Sequence, residues 1–178
     1  MGRDLNGSGD SVKPGQATWR VRRNHGTFNP PAPQEDFVEP RISLVTLGVT
    51  DLARSRAFYE ALGWRASPAS RPEIVFFQAN GLALALFGRA ALAEDAEVED
   101  RPCGFSGVTL AHNVRSEDEV DRVYAEAIAA GGQAVKLPRK AHWGGYSGYF
   151  ADPDWHLWEV AFNPFFPLDE AGGLRLPG

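Results

Sequence analysis

Two stretches of this chain keep step with one another. Val49, Asp51 and Tyr59 match Val114, Ser116 and Tyr124 at a constant offset of 65 positions. Around each set the pattern runs in the same order. "ISLVTLGV" and "GVTLAHNV" are short apolar runs with β-branched residues, the signature of a strand. "DLARSRAFYEALG" and "RSEDEVDRVYAEAIAAGG" follow with helical spacing. In the first, Asp51 is placed to cap a helix, Leu52, Ser55, Phe58, Tyr59 and Leu62 fall on one side, and Gly63 is a natural stop. In the second, Ser116 and Glu119 form a capping box, and Val120, Val123, Tyr124 and Ala127 share a face. Each helix leads into further strands. "EIVFFQ", Asn80-Gly81 and "LALALF" read as a hairpin, because Asn-Gly supplies the positive φ of a two-residue turn. A short strand near Trp64–Ala66 would complete β-α-β-β-β. In the second half "QAVKLP" and the hairpin 146–162, "YSGYFADPDWHLWEVAF", complete the same order. A unit of about 55 residues buries a poor core alone, so the two should pair.

The expected organisation is an extended or disordered arm over 1–40, a domain over 41–164 made of modules 42–90 and 104–164, and a tail over 165–178. The arm is rich in Gly, Pro, Asn and charge, with no apolar periodicity. The charge-dense segment 93–101, "AEDAEVEDR", reads as an exposed link between the modules. With 18 Lys and Arg against 23 Asp and Glu, the net charge of −5 argues against nucleic acid or an anionic membrane as partner. A single Cys, Cys103, excludes an intrachain disulfide and reads as a small buried apolar residue. No run approaches the ~20 apolar residues that span a bilayer, and the first residues lack the apolar stretch of a secretion signal. The expectation is a cytoplasmic protein.

"LGVTDLARSRAFYEALGW" together with "GYFADPDWHLWEV" resembles the vicinal oxygen chelate superfamily, which includes glyoxalase I, bleomycin-resistance proteins, fosfomycin-resistance enzymes and extradiol dioxygenases. The resemblance covers about residues 42–164. It implies an α+β fold: tandem βαβββ modules forming a curled, U-shaped mixed sheet, helices outside and a ligand cavity inside. Strand alternation then places side chains. Trp158, Val160 and Phe162 share one face, and Leu157, Glu159 and Ala161 the other. Bulky residues belong against the helices, which turns Glu159 to the cavity. The same parity puts Leu44, Thr46, Gly48, Ala83, Ala85, Thr109 and Ala111 inside, and small side chains there leave room for a ligand.

Metal enzymes of the family use four inward positions, aligned here with Leu44, Ala85, Thr109 and Glu159. Only Glu159 is a strong ligand for a hard or borderline divalent ion, so no metal site and no firm cofactor is expected, and Glu159 would ligate only if a metal is present. Glu159 is the candidate catalytic residue, as general base or as one metal ligand, with His142 or His112 completing the site. The candidate ligand-binding residues are Phe77, Phe87, Thr109, His142, Trp143, Tyr146 and Glu159. His142 and Trp143 lie in a Gly-rich loop, "KAHWGGYSGY", of the kind that rims pockets or forms a turn. His112 and His156 should face the helix side, and His25 lies in the arm. Where the family carries Gly, this chain has Trp155, which costs about 1 kcal/mol if that position needs positive φ.

The leading expectation is a protein that binds a small, largely apolar or aromatic molecule, with Glu159 as polar anchor. The alternatives are a metal-dependent lyase, isomerase or dioxygenase using Glu159, and a non-catalytic interaction module. The resemblance also implies a homodimer.

Overall fold

The computed structural model describes residues 41–101, 104–142 and 144–176. The arm over 1–40, together with Cys103 and Trp143, lies outside the described residues. The elements in order are β1 Leu44–Val49, α1 Leu52–Ala61, β2 Ile74–Ala79, β3 Leu82–Gly88, α2 Arg89–Asp95, β4 Leu110–Val114, α3 Glu117–Ala129, β5 Gln133–Lys140, β6 Tyr146–Ala151 and β7 Leu157–Phe162. The architecture is α+β and the repeat is real: β1-α1-β2-β3 and β4-α3-β5-β6-β7. The strand expected at Trp64–Ala66 reduces to one bridge, Ala66 to Phe77, and part of the expected link is the helix α2.

Both main helices begin as their sequences require. The Asp51 side chain accepts from the Arg54 N–H at 3.0 Å, and Ser116 Oγ accepts from the Glu119 N–H at 3.1 Å. The Glu119 carboxylate turns back to the Arg115 N–H at 2.7 Å. Gly63 ends α1 with φ +86°.

The strands form two sheets, β1-β3-β2 and β4-β7-β6-β5, and no ladder among the described residues joins them. Each has one parallel pair, β1 with β3 and β4 with β7, which requires a crossover and gets it from α1 and α3. One core serves both halves. Leu47, Val49, Val75, Phe77, Leu84 and Leu86 come from the first sheet, and Val114, Phe150, Trp158 and Val160 from the second. Phe58 and Tyr59 of α1 and Val120, Tyr124 and Ala127 of α3 close over them. Aromatic rings stitch the halves: Tyr59 lies 6.1 Å and Trp64 6.0 Å from Trp158. The helices therefore cover one face of the curled sheets and leave the other, inner face free of α1 and α3. No helix of the described residues is long and apolar enough to cross a membrane.

The module contact is also polar. The β6–β7 turn docks on the start of α1, where Asp154 accepts from the Thr50 N–H (2.8 Å), Thr50 Oγ1 (2.6 Å), Ser55 Oγ (2.5 Å) and Arg54 (2.9 Å). Asp152, wholly buried, accepts from the Tyr59 hydroxyl at 2.8 Å, from the N–H groups of Asp154 and His156 at 2.9 Å each, and pairs with His156 Nδ1 at 2.8 Å. The Trp158 indole N–H donates to the Tyr59 hydroxyl at 3.2 Å. A buried carboxylate is tolerable here because every lone pair has a donor.

Candidate functional site

Register decides which side chains reach the inner face. Glu159 of β7 lies between Ala111 of β4 and Tyr149 of β6, and Tyr149 lies opposite Lys136 of β5. Ser147 and Ala161 form the neighbouring pair on this face. Glu159 is half-buried, beside the Tyr149 phenol of the neighbouring strand. Lys136 Nζ stands 5.1 Å over the Tyr149 ring and 3.4 Å from the buried Ser147 hydroxyl. Tyr149 thus separates a cation and an anion carried two strands apart, about 10 Å across the sheet. Desolvation and then the Glu159 charge push the Tyr149 phenol above its ordinary value, which keeps it a donor at neutral pH.

Thr109 immediately precedes β4 and is exposed. His142 is exposed in the turn closed by Gly144 N–H to Ala141 O at 3.0 Å. Phe87 is half-buried on the inner face of β3, opposite Gly48 and Ile74. Two expected ligand residues are placed elsewhere. Phe77 pairs with Leu84 across the Asn80-Gly81 turn and so points into the core, 5.7 Å from Tyr59 and 5.9 Å from Trp64, while Phe76 faces inward beside Ala85. Tyr146 pairs with Phe162, which turns it to α3, where its hydroxyl donates to Asp121 at 3.0 Å. His112 pairs with Val160 on the helix side. Desolvation, then Arg122, hold its imidazole below the ordinary value.

Lys136 and Tyr149 were not anticipated. Tyr149 carries a legible signal, since it shares parity with Ser147 and Ala151 across from Glu159. Lys136 does not, because β5 breaks register between Ala134 and Lys136 and again before Arg139.

The room expected from small inward residues is partly used by the protein itself. A Cβ at Gly48 would lie 3.3 Å from Arg89 Cα and 3.3 Å from Leu92 Cδ2, so α2 packs onto the first sheet where the side chain is missing. What stays open is a groove of about 860 Å³ between β1 and α2 on one wall and the second sheet on the other. Thr46, Phe105, Val108, Val135, Trp155 and Leu157 line it.

The residues that the resemblance aligns with the family's metal positions do not fit a divalent ion. Leu44 and Ala85 offer no donor, Thr109 offers a neutral hydroxyl, and Glu159 is one carboxylate where three or four protein ligands are needed. Among the described residues no group of three or more His, Cys, Asp or Glu side chains is arranged to hold one.

A family model described as Glyoxalase/Bleomycin resistance protein/Dioxygenase superfamily matches residues 41–160. Among solved structures, a glyoxalase-related enzyme from Fulvimarina pelagi is 40% identical, with a TM-score of 0.71, covering 78% of this chain and 99% of that one. A glyoxalase/bleomycin resistance protein/dioxygenase from Nocardioides is 26% identical, with a TM-score of 0.61 over 72% and 86% of the two chains. A lactoylglutathione lyase from Agrobacterium tumefaciens shares the fold at 23% identity and a TM-score of 0.55, over 71% and 96%. No curated protein matches.

Proposed function

The chain belongs to the Glyoxalase/Bleomycin resistance protein/Dioxygenase superfamily, and from that premise we propose that it binds a small, largely apolar or aromatic molecule on the inner face of its second sheet. Glu159 is the polar anchor of this reading. One observation carries it: a half-buried carboxylate sits on the inner face of the second sheet, with Tyr149 on one side and the small Ala111 on its other flank. A cationic or hydrogen-bond-donating group suits that flank, and Lys136 sets the opposite charge two strands away.

The test is calorimetric titration of 2-naphthylmethylamine into wild type and Glu159→Gln. An ammonium bonded to a carboxylate gives a loss of about tenfold or more in the Gln variant. Equal affinity of the two proteins would remove Glu159 from the site. The homodimer implied by the family is part of the proposal, and sedimentation of the full chain checks it.

A second reading is supported by the same cluster and by the 40% identical relative described as a glyoxalase-related enzyme. Here Glu159 takes a proton from carbon next to a carbonyl, with the protonated Tyr149 placed as hydrogen-bond donor. Stoichiometric Zn, Ni, Mn or Fe in the purified protein would overturn both metal-free readings.

A further inference from the structure

Trp155 occupies a position built for glycine. The β6–β7 turn closes with the Trp155 N–H on Asp152 O and the Asp152 N–H on His156 O, each at 3.0 Å. That is a type I turn followed by a left-handed residue, the bulge position where glycine is the usual occupant. Trp155 takes φ +67°, and the only other described non-glycine residue with positive φ is Glu97. The backbone cannot relax away from it. Asp152 holds the turn from within through the N–H groups of Asp154 and His156, and Asp154 is bound by Thr50, Arg54 and Ser55 of the first half. Such a conformation persists where its surroundings over-determine it. Core packing does not account for the side chain, because Trp155 is 63% exposed. It stands instead on the wall of the groove, with Phe105, Val108, Val135 and Leu157.

We propose that Trp155 is a binding residue that offers its indole face to a planar aromatic ligand lying in this groove. The groove, about 860 Å³, falls in the range of roughly 300–1,000 Å³ typical of small-molecule sites. A flat ring gains more from an indole than an alicyclic body of equal size, since the offset-stacked or edge-to-face geometry adds to simple burial. Leu157, which lines the groove, shares Glu159's face of β7 two residues away, so the groove runs toward Glu159 without Glu159 itself lining it. The inference rests on the reading of the inner face as a small-molecule site, and its experiment separates the two.

Wild type, Trp155→Gly and Trp155→Phe are titrated with 2-naphthylmethylamine and with 1-adamantylmethylamine, which carry the same charge on a flat and a globular body. Trp155→Gly should weaken the naphthyl amine by about tenfold, the size of one aromatic contact, with the adamantyl amine nearly unchanged and Trp155→Phe close to wild type. Without ligand, Trp155→Gly should melt about 2 °C higher, because glycine takes this backbone without strain. Unchanged naphthyl binding in Trp155→Gly overturns the inference and leaves the Glu159 site standing, as does equal loss of both amines. A lower melting temperature identifies the indole as packing, and a change from dimer to monomer identifies it as a contact between copies; either overturns the inference. Failure of wild type to bind either amine overturns both readings.

Discussion

The two halves share a plan and use it differently. In the first, α2 folds back onto the inner face of β1 and β3, with Arg89 and Leu92 standing where a Gly48 side chain would be, while Thr46 and Gly48 still line the groove. In the second, no described helix packs on the inner face, which carries the half-buried Lys136, Tyr149 and Glu159 on three adjacent strands. The helices differ in the same sense. Tyr59 and Tyr124 hold matching positions in the repeat, but Tyr59 donates to the buried Asp152, whereas the Tyr124 hydroxyl is the one buried side-chain polar atom without a partner among the described residues. The first half's tyrosine is thus tied into a buried network that crosses to the second half, whereas the second half's tyrosine joins no such network.

The contrast between inner faces is broken most sharply by adding bulk to each. Gly48→Leu should cost about 3 kcal/mol, because backbone and side-chain atoms of α2 already stand at contact distance. Ala111→Leu, on the exposed inner face of β4, should stay within about 0.5 kcal/mol while obstructing the flank of Glu159. Urea unfolding of both variants measures the difference. Equal costs would mean that the two faces are alike in packing.

The tyrosine pair sharpens the comparison at a smaller scale. Tyr59→Phe removes a donor from Asp152 and the acceptor of the Trp158 indole N–H, and should lose about 1–3 kcal/mol. Tyr124→Phe removes only an unsatisfied buried hydroxyl, so its stability should be equal to wild type or higher by up to about 1 kcal/mol. The Tyr59 phenol itself is far above its ordinary value, through burial first and then the Asp152 charge, so it remains a donor throughout the accessible pH range.

What was legible in the sequence follows from local periodicity. The repeat at 65 positions, the Asp51 and Ser116 caps, the Asn80-Gly81 hairpin and the inward face of Glu159 all depend on short-range rules that the final packing respects. The failures lie where pairing across strands decides. Phe77 is apolar and sits in a good strand, but the two-residue turn fixes it opposite Leu84 and hence in the core. Tyr146 follows the parity of Trp158, not that of Glu159, and so reaches Asp121. Lys136 is displaced by irregularities in β5 that no alternation rule contains. The helix α2 is a single short segment, mostly of charged and small residues, that packs Leu92 at the empty place left by Gly48, far upstream in the same half and in no local pattern.

The last difference between the halves concerns acid. The first hairpin turns through Asn80-Gly81, which carries no charge, whereas the second turns through Asp152 and Asp154. Burial alone would raise the Asp154 carboxyl, but the hydrogen bonds from Ser55 and from the side chain and N–H of Thr50, with Arg54 beside them, hold it below the ordinary carboxylate range. A carboxyl depressed in the folded state binds its proton less readily there than in the unfolded chain. Its contribution is therefore full above the unfolded value near pH 4, and is lost as pH falls through the folded value. Asp154→Asn keeps the shape and removes the titration. Wild type should accordingly exceed the variant in stability at pH 7, and the gap should narrow steadily below about pH 4. Urea midpoints measured from pH 7 to pH 3 read this directly. A gap that stays constant with pH would show that the charge of Asp154 contributes nothing to holding the second half's turn on the first half's helix, and that neutral hydrogen bonds alone make the clamp.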